Sequence, residues 1–259
     1  MRAPVLIPVL DIPWPDLPES VSVLSTTRRG GVSAAPYDDG TGGGGLNLGT
    51  HVGDTADSVM RNRRLLRQQL PSEPVWLSQV HGTRVINADS VPPSTEADAS
   101  IATLTGVVCT IMTADCTPVL LADRRGRVVG AAHAGWRGLA SGVLEATVNA
   151  MRDKGAEEIL AWLGPGIGPQ AFEVGHDVVD AFAHLQADRV VFKAIDDKPG
   201  KFLADLPELA RRALAGVGVS QVTGGEHCTV SDPHRFFSFR RDRTTGRMAS
   251  MIWINGGSD

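Results

Sequence analysis

What most limits the fold of this chain is the middle of its sequence, where short Val- and Ile-rich runs follow one another closely. Residues 75–79, 85–87, 107–112, 119–122 and 128–132 each read as a strand. Residues 21–24 and 159–163 read the same way, as do 236–240 and 248–254, which a turn through Thr245 and Gly246 would join. Helical stretches separate them. Asp54 or Thr55 can cap a helix running to about residue 70, with Arg61, Arg64 and Arg67 turned mostly outward, before Pro71 and Pro74 stop it. Residues 138–151, 177–185 and 202–215 read as further helices. Strands and helices do not alternate regularly enough for a doubly wound parallel sheet. The expectation is a single α/β domain whose mixed sheets pack between helices.

Composition sets the outer bounds. A chain of 259 residues can bury a large core without disulfides. Residues 1–20 carry Pro4, Pro8, Pro13, Pro15 and Pro18, so an extended arm is expected ahead of a single domain over 21–259. The stretch 38–45, two aspartates, a Gly-Thr pair and four glycines, is expected to be a mobile excursion without regular structure. No apolar run approaches the ~18 residues that a membrane span needs. The net charge of −4 argues against a nucleic-acid partner held by bulk electrostatics. Three cysteines cannot all pair within one chain, which points to a reducing, cytoplasmic compartment or to a cysteine with chemical work.

The cysteines differ in their neighbours. Cys109 lies inside an apolar run and reads as core, and Cys228, after His227, reads as structural. Cys116 sits in Thr113-Ala-Asp-Cys116-Thr-Pro118, between two strands, where α/β proteins build sites. Asp115 beside it would raise the thiol pKa, so a metal or a cation is needed to hold a thiolate. His81 and His133 also close strand-like runs and enter glycine-containing turns. Two histidines and a cysteine form a zinc donor set that leaves a fourth position open for water or substrate. The same set suits copper, and a Cys–His pair could also serve a hydrolase with Cys116 as nucleophile.

Several stretches together resemble the YfiH-like, or laccase-domain, family. They are Leu77-Ser-Gln-Val-His81-Gly, Thr113-Ala-Asp-Cys116-Thr-Pro, Ala131-Ala-His133-Ala-Gly-Trp-Arg-Gly138 and Leu163-Gly-Pro-Gly-Ile-Gly168. Thr26 to Ser33, Leu46 to Gly49 with His51 to Asp54, and Phe237 to Asp242 with Thr245 to Arg247 resemble it too. The resemblance implies a four-layer α/β/β/α sandwich with mixed β-sheets, and it places the metal ligands on His81, Cys116 and His133. It implies purine nucleoside phosphorylase activity, with adenosine deamination and methylthioadenosine cleavage beside it. Family members are also named polyphenol oxidases, and some are implicated in editing peptidoglycan precursors. The 38–45 excursion departs from the family pattern.

The substrates implied are purine nucleosides and phosphate. Phosphorolysis needs cations for the phosphate, groups that position the ribose, and help for the leaving base. Arg137, just before an expected helix start, is a candidate for the anion, as is Arg28. Asn47 and Gln79 could hydrogen-bond ribose or base. The family's Asn-Arg pair falls on Asn62 and Arg63. Asp115 is expected to orient the metal site, with a general-base role as the alternative. Zinc is the expected cofactor. Copper-dependent phenol oxidation is the alternative, although seven histidines are a thin supply for several copper centres. The H-x-E…P-C-x-x-C pattern of zinc nucleobase deaminases is absent, so any deamination would use an unrelated site. Gly42–Gly45 and Gly164–Gly168 match neither a P-loop nor a dinucleotide fingerprint.

Overall fold

In the computed structural model, which describes residues 6–90, 94–185 and 190–256, the chain opens with strands β1 (Val21–Ser25) and β2 (Arg29–Ser33) and helix α1 (Ala56–Arg67). Strands β3 (Val85–Asn87), β4 (Ala99–Ala102), β5 (Cys109–Thr113), β6 (Thr117–Asp123) and β7 (Val129–Ala134) follow. Helices α2 (Trp136–Ala140) and α3 (Val143–Asp153) lead to β8 (Ile159–Leu163), β9 (Glu173–Val174) and α4 (His176–Ala181). The remainder is β10 (Phe192–Ala194), β11 (Phe202–Ala204), α5 (Leu206–Gly216), β12 (Gln221–Gly224), α6 (Phe239–Asp242) and β13 (Met248–Ile254). The first five residues of the expected arm, Pro4 among them, lie outside the described residues. In the rest of the arm Ile7, Leu10 and Trp14 are buried, and Leu10 donates its backbone N–H to Ser25.

Side-chain alternation along the strands produces the layers. In β6, Val119 and Leu121 point into one apolar cluster while Leu120 and Ala122 point into another. In β13, Met248, Ile252 and Ile254 share that second cluster, while Ala249, Met251 and Trp253 face a third. The first cluster lies between a six-stranded sheet, ordered β12-β8-β6-β7-β4-β3, and helices α3 and α5. The second fills the space between this sheet and a three-stranded sheet, β1-β13-β5. The third packs the outer face of the small sheet under Leu66 of α1. Three apolar seams thus separate four layers, α/β/β/α. The large sheet is mixed: β12 with β8 and β3 with β4 run parallel, and its other pairs antiparallel.

Helix α1 starts as expected, with Thr55 as N-cap accepting from the Ser58 N–H. Other expectations need correction. The helix expected over 202–215 begins only at Leu206, because Asp205 caps it by accepting from Glu208 N–H; residues 202–204 form β11 between β9 and β10. The helix expected over 138–151 is two helices, divided at Gly142, whose φ of +95° breaks the helical path. That over 177–185 is α4 followed by a single 3-10 turn, Ala183–Leu185. Residues 236–240 are not a strand. After the buried Phe236 and Phe237, Ser238 accepts from the Arg241 N–H and caps α6, so the segment turns into a helix. Residues 75–79 make only isolated bridges, Val75 to Cys109 and Ser78 to Glu96. The excursion at 38–45 is organised by Asp39, whose Oδ1 accepts from Thr41 N, Thr41 Oγ1 and Gly43 N. Among the described residues, no helix is long and apolar enough to cross a membrane.

Candidate metal centre and its cavity

Three chain segments converge at one end of the large sheet. β5 ends at Thr113 and β6 starts at Thr117, so Cys116 lies in the short link between the two sheets. His133 is the penultimate residue of β7 and pairs with Pro118 of β6. His81 comes from the loop before β3. Two residues in these links, His81 (φ +62°) and Asp115 (φ +95°), hold left-handed backbone conformations that side-chain-bearing residues seldom adopt. The result is close approach. The potential ligand atoms of His81, Cys116 and His133 all lie within 4.8 Å of one another, and Cys116 Sγ is 3.7 Å from His81 Nε2. Gly135 must be glycine here, since a Cβ would stand 2.8 Å from His81 Cδ2 and 2.9 Å from Cys116 Sγ.

A carboxylate that the sequence reading passed over fixes this geometry. Asp98, fully buried, accepts from His133 Nδ1 at 2.8 Å and from the backbone N–H groups of Val80, His81 and Gly82 at 3.1, 2.9 and 2.7 Å. Its own carbonyl accepts the His133 N–H at 2.7 Å. One residue therefore supports the unusual turn at His81 and orients the His133 ring so that Nε2 remains for a ligand bond. Burial pushes the Asp98 carboxyl up, and the His133 hydrogen bond with the Gly82 and Val80 N–H groups outweighs it, so it is held below its ordinary value. Asp115, expected in this orienting role, is engaged elsewhere: Oδ1 accepts from Thr229 Oγ1 and Oδ2 from the Arg240 N–H, both at 2.6 Å.

Burial pushes the Cys116 thiol up, but the neighbouring His133 and His81 more than offset this and lower it to about 6. Burial also disfavours protonated His133, yet the Cys116 thiolate and Asp98 raise it to about 9. The cation beside the thiolate is thus the His133 imidazolium. Cys109, by contrast, is fully buried and pushed up to about 12. A thiolate and two imidazoles, one oriented by a carboxylate, fit the donor set of a zinc or copper ion.

These residues line a cavity of about 490 Å³, a volume suited to a small organic ligand. Arg137, Arg240, Arg243 and Arg247 line it too, with Trp136, Phe172 and Phe239 as aromatic surfaces and His51 and Gln79 as further polar groups. Gln79 faces the cavity, though its amide donates to Met112 O and accepts from Met112 N, both at 2.8 Å. Arg137 also faces it, from the first turn of α2 rather than ahead of it.

Asn47 and Arg63 stand behind the wall. Asn47 Oδ1 accepts from the backbone N–H groups of Gly49 and Arg247, so it shapes the cavity through Arg247. Arg63 donates twice to Leu48 O and lies 3.9 Å above the Trp76 ring. Asn62 is fully buried and ties together Val32, Ser33, Gly45 and Asn47. Arg28 donates to Asp38 O and Pro233 O beneath Phe237. The guanidinia of Arg28 and Arg63 are thus taken up by backbone carbonyls and Asn47 and Asn62 by their own loops, whereas Arg137 and Gln79 face the cavity. Of the cavity arginines beyond Arg137, Arg240 and Arg247 lie in the family-like stretches Phe237 to Asp242 and Thr245 to Arg247, which carried no assigned role, and Arg243 lies between them.

Residues 22–255 match the model of a family described as multi-copper polyphenol oxidoreductase laccase. The chain belongs to this family. The purine nucleoside phosphorylase YfiH of Escherichia coli (strain K12) is 52% identical over 244 residues, which are 93% of this chain and 96% of that one. A crystal structure of Neisseria meningitidis protein NMB0706 superposes with a TM-score of 0.87 at 48% identity, covering 96% and 99% of the two chains. That of YlmD from Geobacillus stearothermophilus gives 0.82 at 31% identity, covering 93% and 94%. The laccase-domain fold, one domain of mixed α/β layers, is thus common to this chain and its structural neighbours.

Proposed function

We propose that the protein is a zinc-dependent purine nucleoside phosphorylase of the cytoplasm, which converts adenosine or inosine and orthophosphate to free base and ribose 1-phosphate. One observation carries this reading: a three-donor metal-ligating set, four arginines and three aromatic side chains share a single cavity. In phosphorolysis the C1′–N bond breaks, its electron pair leaves with the base, and a phosphate oxygen bonds to C1′. The arginines supply the positive charge that holds the phosphate. Trp136, Phe172 and Phe239 offer faces for a purine. Asp98 keeps His133 oriented with Nε2 inward, and the His81 turn stays fixed by the same carboxylate. Zinc held by His81, Cys116 and His133 would supply a Lewis-acid charge able to polarise a substrate oxygen or to acidify water. The same cavity is proposed to accept methylthioadenosine and to deaminate adenosine. The homology with the Escherichia coli enzyme supports the nucleoside reading.

Copper-dependent phenol oxidation is the second reading, favoured by the His₂Cys donor set and by the family description. Among the described residues, however, His81, Cys116 and His133 make up the one cluster of three or more ligating side chains, which suits one ion better than several. Peptidoglycan-precursor hydrolysis by Cys116 is distinguished by a covalent acyl intermediate and by turnover without phosphate. The decisive experiment measures bound metal and base release from inosine, with and without phosphate, for wild type and Cys116→Ala. Phosphate-dependent release that disappears in Cys116→Ala is expected. Release without phosphate, or undiminished release in the variant, would overturn the mechanism.

A further inference from the structure

The turn after α6 contains a residue in a conformation that regular structure does not require. Arg243 has φ +62° and ψ −62°, and the Thr244 N–H reaches back to the Asp242 carbonyl at 2.7 Å. This is the positive-φ γ-turn, which is rare and strained for any residue with a side chain and far easier for glycine. Strain of this kind persists where the side chain it positions has a use.

Packing gives Arg243 no such use within the protein. Its side chain is exposed, and among the described residues its guanidinium has no hydrogen bond or ion pair; the Phe239 ring lies 5.8 Å away. Yet it lines the cavity. Arg137 repeats the pattern from a different element: exposed, without such a partner among the described residues, and 4.4 Å over the Trp136 ring. The other two cavity arginines are committed. Arg240 Nη1 donates to Glu173 O at 2.9 Å, and Arg247 Nη1 to Thr245 O and Gly246 O at 3.2 and 3.1 Å. The carboxylate that lines the cavity, Asp115, already accepts from Thr229 and Arg240 and does not pair with either free arginine. A guanidinium lying on an aromatic face keeps its N–H edge available for bidentate donation.

We infer that Arg243 and Arg137 are the groups that bind a phosphoryl dianion in this cavity, either orthophosphate or the phosphate of a sugar phosphate, and that the strained turn exists to aim Arg243. The inference takes from the proposed function only the identity of the anion; its binding is separable from turnover.

The test is calorimetric titration of the metal-loaded protein with orthophosphate and with ribose 1-phosphate. Wild type is compared with Arg137→Met, Arg243→Met and Arg243→Gly, with Arg64→Met, an exposed α1 residue outside the cavity, as control. Both methionine variants should weaken orthophosphate at least about tenfold, the loss expected for a charge-assisted pair. Metal content and inosine affinity should not change. Arg243→Gly should lose the anion equally while its Tm rises, because glycine relieves the turn. A parallel loss of ribose 1-phosphate binding assigns the site to both sources; loss of orthophosphate alone assigns it to the free anion. Orthophosphate affinity within twofold of wild type in both Arg243 variants would overturn the inference. If wild type binds phosphate through these arginines but does not phosphorolyse, the anion site stands and the proposed reaction falls. If phosphorolysis proceeds in Arg243→Met with an unchanged phosphate KM, the reverse holds.

Discussion

The metal-ligating side chains and the cavity arginines are held in opposite ways. His81 and His133 are positioned by a buried carboxylate, Asp98, that receives four hydrogen bonds from their two segments, and Cys116 sits in the short link between β5 and β6. Arg137 and Arg243 project from an exposed helix turn and a strained loop and rest only on aromatic rings. The first set is finished before any ligand arrives. The second has guanidinia without hydrogen-bond partners among the described residues. Rigid placement suits groups that must present three donors within ångströms of each other, because a misplaced donor loses the ion. Uncommitted guanidinia suit a diffusing anion, which supplies its own geometry.

Substitutions should separate the two sets. The largest effect is expected from Cys116→Ala: bound metal measured by elemental analysis should be lost, and base release should fall by more than about a hundredfold, beyond what an outer partner costs. Asp98→Asn comes next. It keeps the shape but offers N–H groups where acceptors are needed, and metal affinity measured by chelator competition should fall about 10–100-fold. An unchanged affinity would show that Asp98 serves folding alone. Gly135→Ala should cost about 1–3 kcal/mol in urea unfolding, since its Cβ would press on His81 and Cys116. The mildest change tests the arginines without mutation: raising salt should raise the phosphate KM severalfold and leave the inosine KM nearly alone, because exposed charges are screened. Equal salt sensitivity of both substrates would erase the distinction.

The sequence disclosed these parts unevenly, for physical reasons. Strands β6, β8 and β13 were legible because both of their faces are buried and their runs are rich in large apolar residues, and β7 was marked by Val128 and Val129 at its start. Strand β4, Ala-Ser-Ile-Ala, was not, because small residues carry little strand preference even when fully buried. Phe236 and Phe237 misled because two adjacent aromatics resemble a strand, although a cap at Ser238 turns them into a helix entry. His81, Cys116 and His133 stood out at strand ends and in family-like stretches, and the structure brings them together. Asp98 was hidden since one aspartate among alanines says nothing of the three N–H groups that fold around it. Asn47, Asn62 and Arg63 drew attention for their chemistry, but only the structure shows that backbone carbonyls already occupy them.

One feature of the small sheet bears on how the protein is made. Its central strand, β13, is contributed by the end of the described chain, while its flanking strands β1 and β5 come from much earlier. During synthesis both flanks leave the ribosome with no partner on their inner edges and wait until residue 254 has emerged. β5 is also the strand that delivers Cys116, so a nascent chain carries its thiol and both histidines well before the sheet that anchors them is closed. A chain stopped before β13 would present two open strand edges, the form of intermediate most in need of a chaperone.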